Sequence, residues 1–154
     1  MRVVLQRVSR ASVSVRGSVV GSIDGPGFLL LVGVGADDPP GDERRLAAKI
    51  AGLRVFEDGD GRMNLALAEV GGAVLVVPQF TLYGDVRKGR RPSWIAAASP
   101  EVAAQRVEAF CEELAALGVR VGRGAFREHM EVELVNDGPV TLVIDAAELW
   151  EARG

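Results

Sequence analysis

Val74-Leu-Val-Val-Pro-Gln-Phe-Thr-Leu-Tyr-Gly-Asp85 is the stretch on which the chain turns from scaffold to chemistry. Its four leading apolar residues, Val74 to Val77, read as a short buried strand. The strand stops at Pro78, which has no N–H to give a sheet ladder. An amide, an aromatic ring and a hydroxyl follow in a row: Gln79, Phe80 and Thr81. A basic cluster comes next, Arg87, Lys88, Arg90 and Arg91. Polar groups on a loop that leaves a buried strand mark the place where mixed α/β proteins hold ligands.

Upstream, residues 2–8 alternate, with Val3, Leu5 and Arg7 on one face and Val4, Gln6 and Val8 on the other. Arg7 therefore shares a face with apolar neighbours and needs acceptors for its five N–H groups. Ser12–Val15 and Val19–Ile23 are expected as two more strands about an Arg16-Gly17 hairpin. Gly25-Pro26-Gly27 reads as a turn, and Phe28 to Val34 as the central strand. Asp42 is placed to cap a helix through about Arg54, with Leu46, Ile50 and Leu53 as its apolar stripe. Val55 to Asn64 is a turn-rich connection, and Gly71-Gly72 breaks the chain before the quoted strand.

Downstream, Ser99-Pro100 is a helix start, with serine at N-cap and proline at N1. Ala103, Val107, Phe110, Leu114 and Leu117 form its buried stripe, and Gly118 ends it. Cys111 lies one turn from Val107 and from Leu114, so it packs in the core. Met130–Val135 and Val140–Ile144 alternate on either side of Asn136-Asp-Gly-Pro139 and are expected as a hairpin. The fold class that follows is α+β, or mixed α/β: an antiparallel-rich sheet or partial barrel with two packed helices.

The 154 residues are expected to form one domain, 1–154, with 48% apolar and 25% charged residues. The start of the chain alternates like a strand and lacks a long apolar core, so neither a signal peptide nor a membrane span is expected. The one cysteine has no internal partner, which suits a reducing cytoplasm. The net charge of −3 rules against a globally basic nucleic-acid coat but leaves room for the local patch at Arg87–Arg91.

The chemistry is narrowed by what is scarce. One histidine, His129, and one cysteine cannot make a conventional metal site, so no metal or cofactor is expected. No serine sits in a Gly-x-Ser-x-Gly elbow, and His129 reads as a surface or packing residue. Oriented backbone N–H groups with a hydroxyl can stabilise an oxyanion, each good donor being worth roughly 3–4 kcal/mol. That suffices for a substrate that is already activated. Thr81 is the available hydroxyl. It could attack as a nucleophile or only position an ester, and the absence of an obvious base favours positioning. Gly138-Pro139 could be an ordinary turn or a cis bond, which roughly 5–6% of X-Pro pairs adopt.

Taken together, six segments resemble the D-aminoacyl-tRNA deacylases over essentially the full length. They are Met1-Arg-Val-Val-Leu-Gln-Arg-Val8, Lys49-Ile-Ala-Gly-Leu-Arg-Val-Phe-Glu-Asp58, Gly61-Arg-Met-Asn64, Gln79-Phe-Thr-Leu-Tyr-Gly-Asp85, Arg87-Lys-Gly-Arg-Arg-Pro-Ser93 and Asn136-Asp-Gly-Pro-Val-Thr141. The resemblance implies a cytoplasmic homodimer that hydrolyses the ester of D-aminoacyl-tRNA and of mischarged glycyl-tRNA, with two sites at the subunit interface. It makes Gly138-Pro139 a Gly-cis-Pro element, inserted from one subunit into the other's pocket to exclude L side chains. Gln79, Phe80 and Thr81 become the opposing catalytic loop, with Arg7 holding the Gly-Pro loop. Arg87, Lys88, Arg90 and Arg91 become contacts for the tRNA backbone.

Two places depart from the family pattern. Pro78 stands where the loop usually begins with serine, and the larger Arg127 and Glu128 alter a pocket rim at Phe126–Met130. The alternative readings are a non-catalytic tRNA-binding module working through the basic loop, and a related deacylase whose chirality is relaxed by Pro78.

Overall fold

Two long antiparallel strands frame the molecule in this computed structural model, which describes residues 1–150. β1 (Arg2–Val15) and β2 (Ser18–Gly33) join through Arg16 and Gly17, both at positive φ, 49° and 79°. That pair of angles gives a two-residue turn the twist of its flanking strands. The four strands expected here, 2–8, 12–15, 19–23 and 28–34, are two continuous ones. The supposed turn at Gly25-Pro26-Gly27 lies inside β2, where the register with β1 slips between Val8 and Arg10. Two β2 residues there face one of β1, so the glycine-proline chemistry codes a bulge that bends the strand and does not reverse it.

The chain then runs through α1 (Asp42–Gly52), a small hairpin of β3 (Phe56–Glu57) and β4 (Met63–Leu65), β5 (Ala73–Pro78), α2 (Pro100–Ala116), β6 (Arg120–Arg123), β7 (Glu131–Asp145) and a final turn of helix, α3 (Ala146–Leu149). The main sheet has the order β6-β5-β2-β1-β7. β2, β5 and β6 are mutually parallel, whereas β1 pairs antiparallel with both β2 and β7. The fold is thus mixed α+β. α1 and α2 cover one face, over Val3, Leu5, Phe28, Leu30, Val74 and Val76. The other face buries Val8, Val13, Leu29, Leu75 and Val77. Strands covered on both sides need apolar residues at every position, which accounts for the unbroken runs Phe28–Leu30 and Val74–Val77.

The expected hairpin at 130–144 is one strand. Both halves of β7 pair with β1, Glu131–Val135 with Arg10–Ser14 and Thr141–Asp145 with Arg2–Gln6. Between them Arg7 alone faces Asp137, Gly138, Pro139 and Val140, which bow out of the ladder. The turn residues fix a local conformation, with Gly138 at φ 129°, but local conformation does not say which strand receives the flanks.

At α1 the N-cap is Gly41, with no side-chain cap. Asp42, expected there, is the first helical residue, buried, with a carboxylate oxygen 3.2 Å from the Met1 ammonium. The helix also ends at Gly52, short of Arg54, because Leu53 is already extended. Ser99 caps α2 as expected, its hydroxyl accepting from Val102 N–H. Leu117, expected in the buried stripe, is half exposed because it follows the last helical turn. Cys111 is buried, and burial pushes its thiol up to about 11. Among the described residues no helix is long and apolar enough to cross a membrane.

Candidate active site

The parallel strands β2, β5 and β6 deliver their C-terminal ends to one place, and a cavity of about 600 Å³ opens there. Crevices outside the carboxyl ends of parallel strands are the usual ligand sites of such sheets. Val32 enters from β2 and Val34 from just past its end, Val77 and Pro78 from β5, Gln79 and Phe80 from the residues after it, and Phe126 to Met130 from the segment after β6. The start of α2 closes the side with Pro100 and Ala103. The walls are mainly apolar, with few polar groups, as small-molecule sites generally are.

Pro78 ends β5 at no cost to the ladder. Gln79 N–H donates to Val32 carbonyl at 2.8 Å, so the strand's alternation aims position 78 at the other side. There β6 has already ended at Arg123, and the proline ring lies against Gly124. Phe80–Tyr83 form a 3-10 turn with Gln79 at its N-cap. The first N–H groups of such a turn, here those of Phe80 and Thr81, are not used within it and face outward as donors.

Gln79 Nε2 donates to the Thr81 hydroxyl oxygen. Phe80 is exposed and meets Trp94 edge-on, ring centroids 5.2 Å apart. Gly84 lets that indole lie across the chain, since a Cβ there would stand 2.6 Å from the Trp94 ring. From behind, Arg2 donates to Leu82 carbonyl at 3.0 Å and its guanidinium lies over the Tyr83 ring. Burial pushes the Tyr83 phenol upward, so it stays neutral.

Around Thr81 the arrangement offers donors and no base, while the Glu128 carboxyl and His129 imidazole of the lining lie on the segment after β6. Among the described residues no histidine or carboxylate hydrogen-bonds to Thr81, and an amide cannot take its proton. Thr81 itself is exposed beside the cavity and does not line it. Among the described residues no three side chains of histidine, cysteine, aspartate or glutamate converge to hold a metal ion.

The Gly138-Pro139 element is elsewhere in the same chain. The bond is cis, both residues are exposed, and neither lines the cavity. Arg7, 5% exposed, holds the bow from beneath: its Nε donates to Asp137 carbonyl at 3.0 Å and a terminal nitrogen to Val55 carbonyl at 2.7 Å. The Asn136 amide, oriented to satisfy its neighbours, donates to the Arg7 and Val140 carbonyls at 3.0 and 3.1 Å. One chain therefore does not bring Gln79–Thr81 and Gly138-Pro139 together. The arginines that support them, Arg2 behind Leu82 and Arg7 beneath Asp137, stand five steps apart on β1, roughly 16 Å.

The basic loop is closed by two backbone bonds between Asp85 and Ser93, each 2.8 Å. Arg87 is occupied by Asp85 at 2.7 Å, and that guanidinium lowers the carboxyl to about 2. Lys88, Arg90 and Arg91 are exposed and make no ion pair among the described residues. Sequence reasoning missed Trp94 and treated His129 as a bystander, although both line the cavity. The signal for the first was present: Trp94-Ile95 is an apolar pair inside an otherwise polar loop.

The family model described as D-Tyr-tRNA(Tyr) deacylase matches residues 4–145. A protein of Symbiobacterium thermophilum named D-aminoacyl-tRNA deacylase is 58% identical, over 97% of this chain and 99% of that one. One of the same name from Thermomicrobium roseum is 60% identical, over 97% and 96%. Among solved structures, the c-Myc DNA Unwinding Element Binding Protein superposes with TM-score 0.86 at 36% identity, over 94% of this chain and 98% of that one. A probable eukaryotic D-amino acid tRNA deacylase superposes with TM-score 0.79 at 22% identity, over 93% and 97%, a likeness of fold.

Proposed function

This chain belongs to the D-Tyr-tRNA(Tyr) deacylase family, and from that premise we propose that it hydrolyses the ester of D-aminoacyl-tRNA, and of glycyl-tRNA, to free amino acid and tRNA. The observation that carries the reading is a cavity at the ends of the parallel strands whose catalytic edge, Gln79–Thr81, presents hydrogen-bond donors without a base. An aminoacyl ester is an activated acyl group. The neighbouring ribose hydroxyl, held close, can assist its own hydrolysis. The N–H groups of Phe80 and Thr81 would stabilise the oxyanion. Gln79 would hold the Thr81 hydroxyl, which positions the carbonyl.

Chirality would be read by exclusion, the Gly138-Pro139 carbonyls obstructing an L side chain and leaving a D side chain or glycine free. In one chain that element lies away from the cavity, so we assign it to the cavity of a second subunit, in a homodimer with interfacial sites. β7 supports this arrangement, because it is an edge strand that exposes Val135 and Val143 beside the bow. Lys88, Arg90 and Arg91 would meet the tRNA backbone. A substrate of aminoacyl-tRNA suits a reaction in the cytoplasm.

Purified protein is expected to deacylate D-Tyr-tRNA and Gly-tRNA while largely sparing L-Tyr-tRNA. No D-ester turnover above buffer would refute the reading, and equal D and L rates would assign a relaxed chirality to Pro78. A second reading, a nucleic-acid-binding module without turnover, is favoured by the structural neighbour named for binding DNA and by the unpaired cations. It requires equal, salt-sensitive binding of charged and uncharged tRNA. Thr81→Ala is expected to keep a measurable fraction of activity, on the order of a tenth, because one positioning contact is worth about 1.4 kcal/mol. Loss to the buffer rate in a single-turnover assay would make Thr81 a nucleophile.

A further inference from the structure

We propose that Arg127 is a contact for the 5′ phosphate of the terminal nucleotide of the substrate, set at the mouth of the cavity. The inference rests on the deacylase reading and names how the substrate's polyanionic end is met. Of the described residues that line the cavity, only Arg127, Glu128 and His129 can carry charge, and they are consecutive. All of the cavity's charge therefore sits on one short segment at the rim. Glu128 is already occupied, its carboxylate 2.9 Å from the Arg16 guanidinium of the β1–β2 turn. Among the described residues Arg127 pairs only with Glu101, at 3.8 Å, and both partners are mostly exposed, at 66% and 74%. A pair so loose and so wet holds little, so the guanidinium is free to exchange it for a phosphate.

The backbone sets Arg127 in a tight turn at the cavity mouth. Arg127 holds φ at 64°, a region that side chains rarely occupy. The only other non-glycine residue there among the described residues is Arg16, whose two-residue turn demands it. Arg127 is the second central residue of the turn at Phe126-Arg127, where a type II geometry demands the same sign of φ. The direction also fits. With the ester at Gln79–Thr81 and the nucleoside along the apolar walls, as the deacylase reading has them, the phosphodiester would leave past 127–129, the charged part of the lining. A guanidinium fork matches phosphate oxygens in two parallel bonds.

The test compares D-Tyr-tRNA with 3′-O-D-tyrosyl-adenosine, which has the same ester and base and no phosphate. Arg127→Gly accepts the backbone angle and is expected to fold, which thermal unfolding checks. The expected result is that the ratio of kcat/KM for the tRNA to kcat/KM for the adenosine ester falls about tenfold. The salt dependence of the tRNA reaction should flatten by about one counterion's worth. Arg127→Lys should hold the ratio within about threefold of wild type, because charge remains and the fork is lost. An unchanged ratio in Arg127→Gly overturns the contact. If the wild-type protein cleaves neither ester, the deacylase reading itself fails and takes the contact with it. If it cleaves both and the variant loses equally on both, only the contact is wrong.

Discussion

Gly138→Ala is expected to leave a folded protein whose turnover of D-aminoacyl-tRNA is lower by about a hundredfold or more, the cost of displacing a positioning element by an ångström. At Gly138 φ is 129°, which L side chains rarely adopt. A Cβ there would stand 2.9 Å from an Arg7 terminal nitrogen and 3.0 Å from Val140 Cγ2. Arg7 cannot give way, since it is buried and bonded on two sides. The bow must move instead. Its flanks stay fixed in the β1 ladder, so the damage is local, about 1–2 kcal/mol of stability. Measuring kcat/KM beside the unfolding midpoint separates the two effects. Full activity in a folded variant would contradict the proposed role of Gly138-Pro139 in the site.

Arg7→Ala is expected to cost about 2–4 kcal/mol of stability, because the carbonyls of Val55 and Asp137 lose their donor in a buried place, each at about 1–3 kcal/mol. Turnover should fall at least as far as in Gly138→Ala, since nothing else described holds Asp137 from beneath. Arg7→Lys should recover part of the stability and little activity. A single ammonium can satisfy one carbonyl well but lacks the fork that spans both. Urea unfolding with an unchanged slope gives the stability term directly. A loss below about 1 kcal/mol would show that water replaces the guanidinium freely.

How far the chain disclosed itself depended on the range of the interaction. Arg7 on an apolar face, Ser99-Pro100 opening a helix, Cys111 on a buried stripe and Val74–Val77 as a covered strand are all decided within a few residues. The structure agrees with each. Gly25-Pro26-Gly27 and Asn136-Asp-Gly-Pro139 were misread for one reason. A bulge and a reversing turn ask for the same residues, and only the long-range ladder with β1 tells them apart. Asp42 was misplaced as a cap because its partner, the Met1 ammonium, is distant in sequence. The cavity was hidden for the same reason. It exists because β2, β5 and β6 run parallel, and no local pattern records that. Its far wall came into view only through the resemblance at Phe126–Met130.

The way β7 leaves and rejoins one ladder bears on the thermodynamics of encounter. The ends of the 137–140 bow are fixed by β1 on both sides, with Arg7 alone between the two registers. Only four residues have to be ordered to place Gly138 and Pro139, and folding of the sheet has already ordered them. In the proposed role of Gly138-Pro139, an element built this way would give up no conformational freedom when a ligand arrives. Its proposed contribution to discrimination would therefore not be diminished by an entropic cost of closing on the substrate.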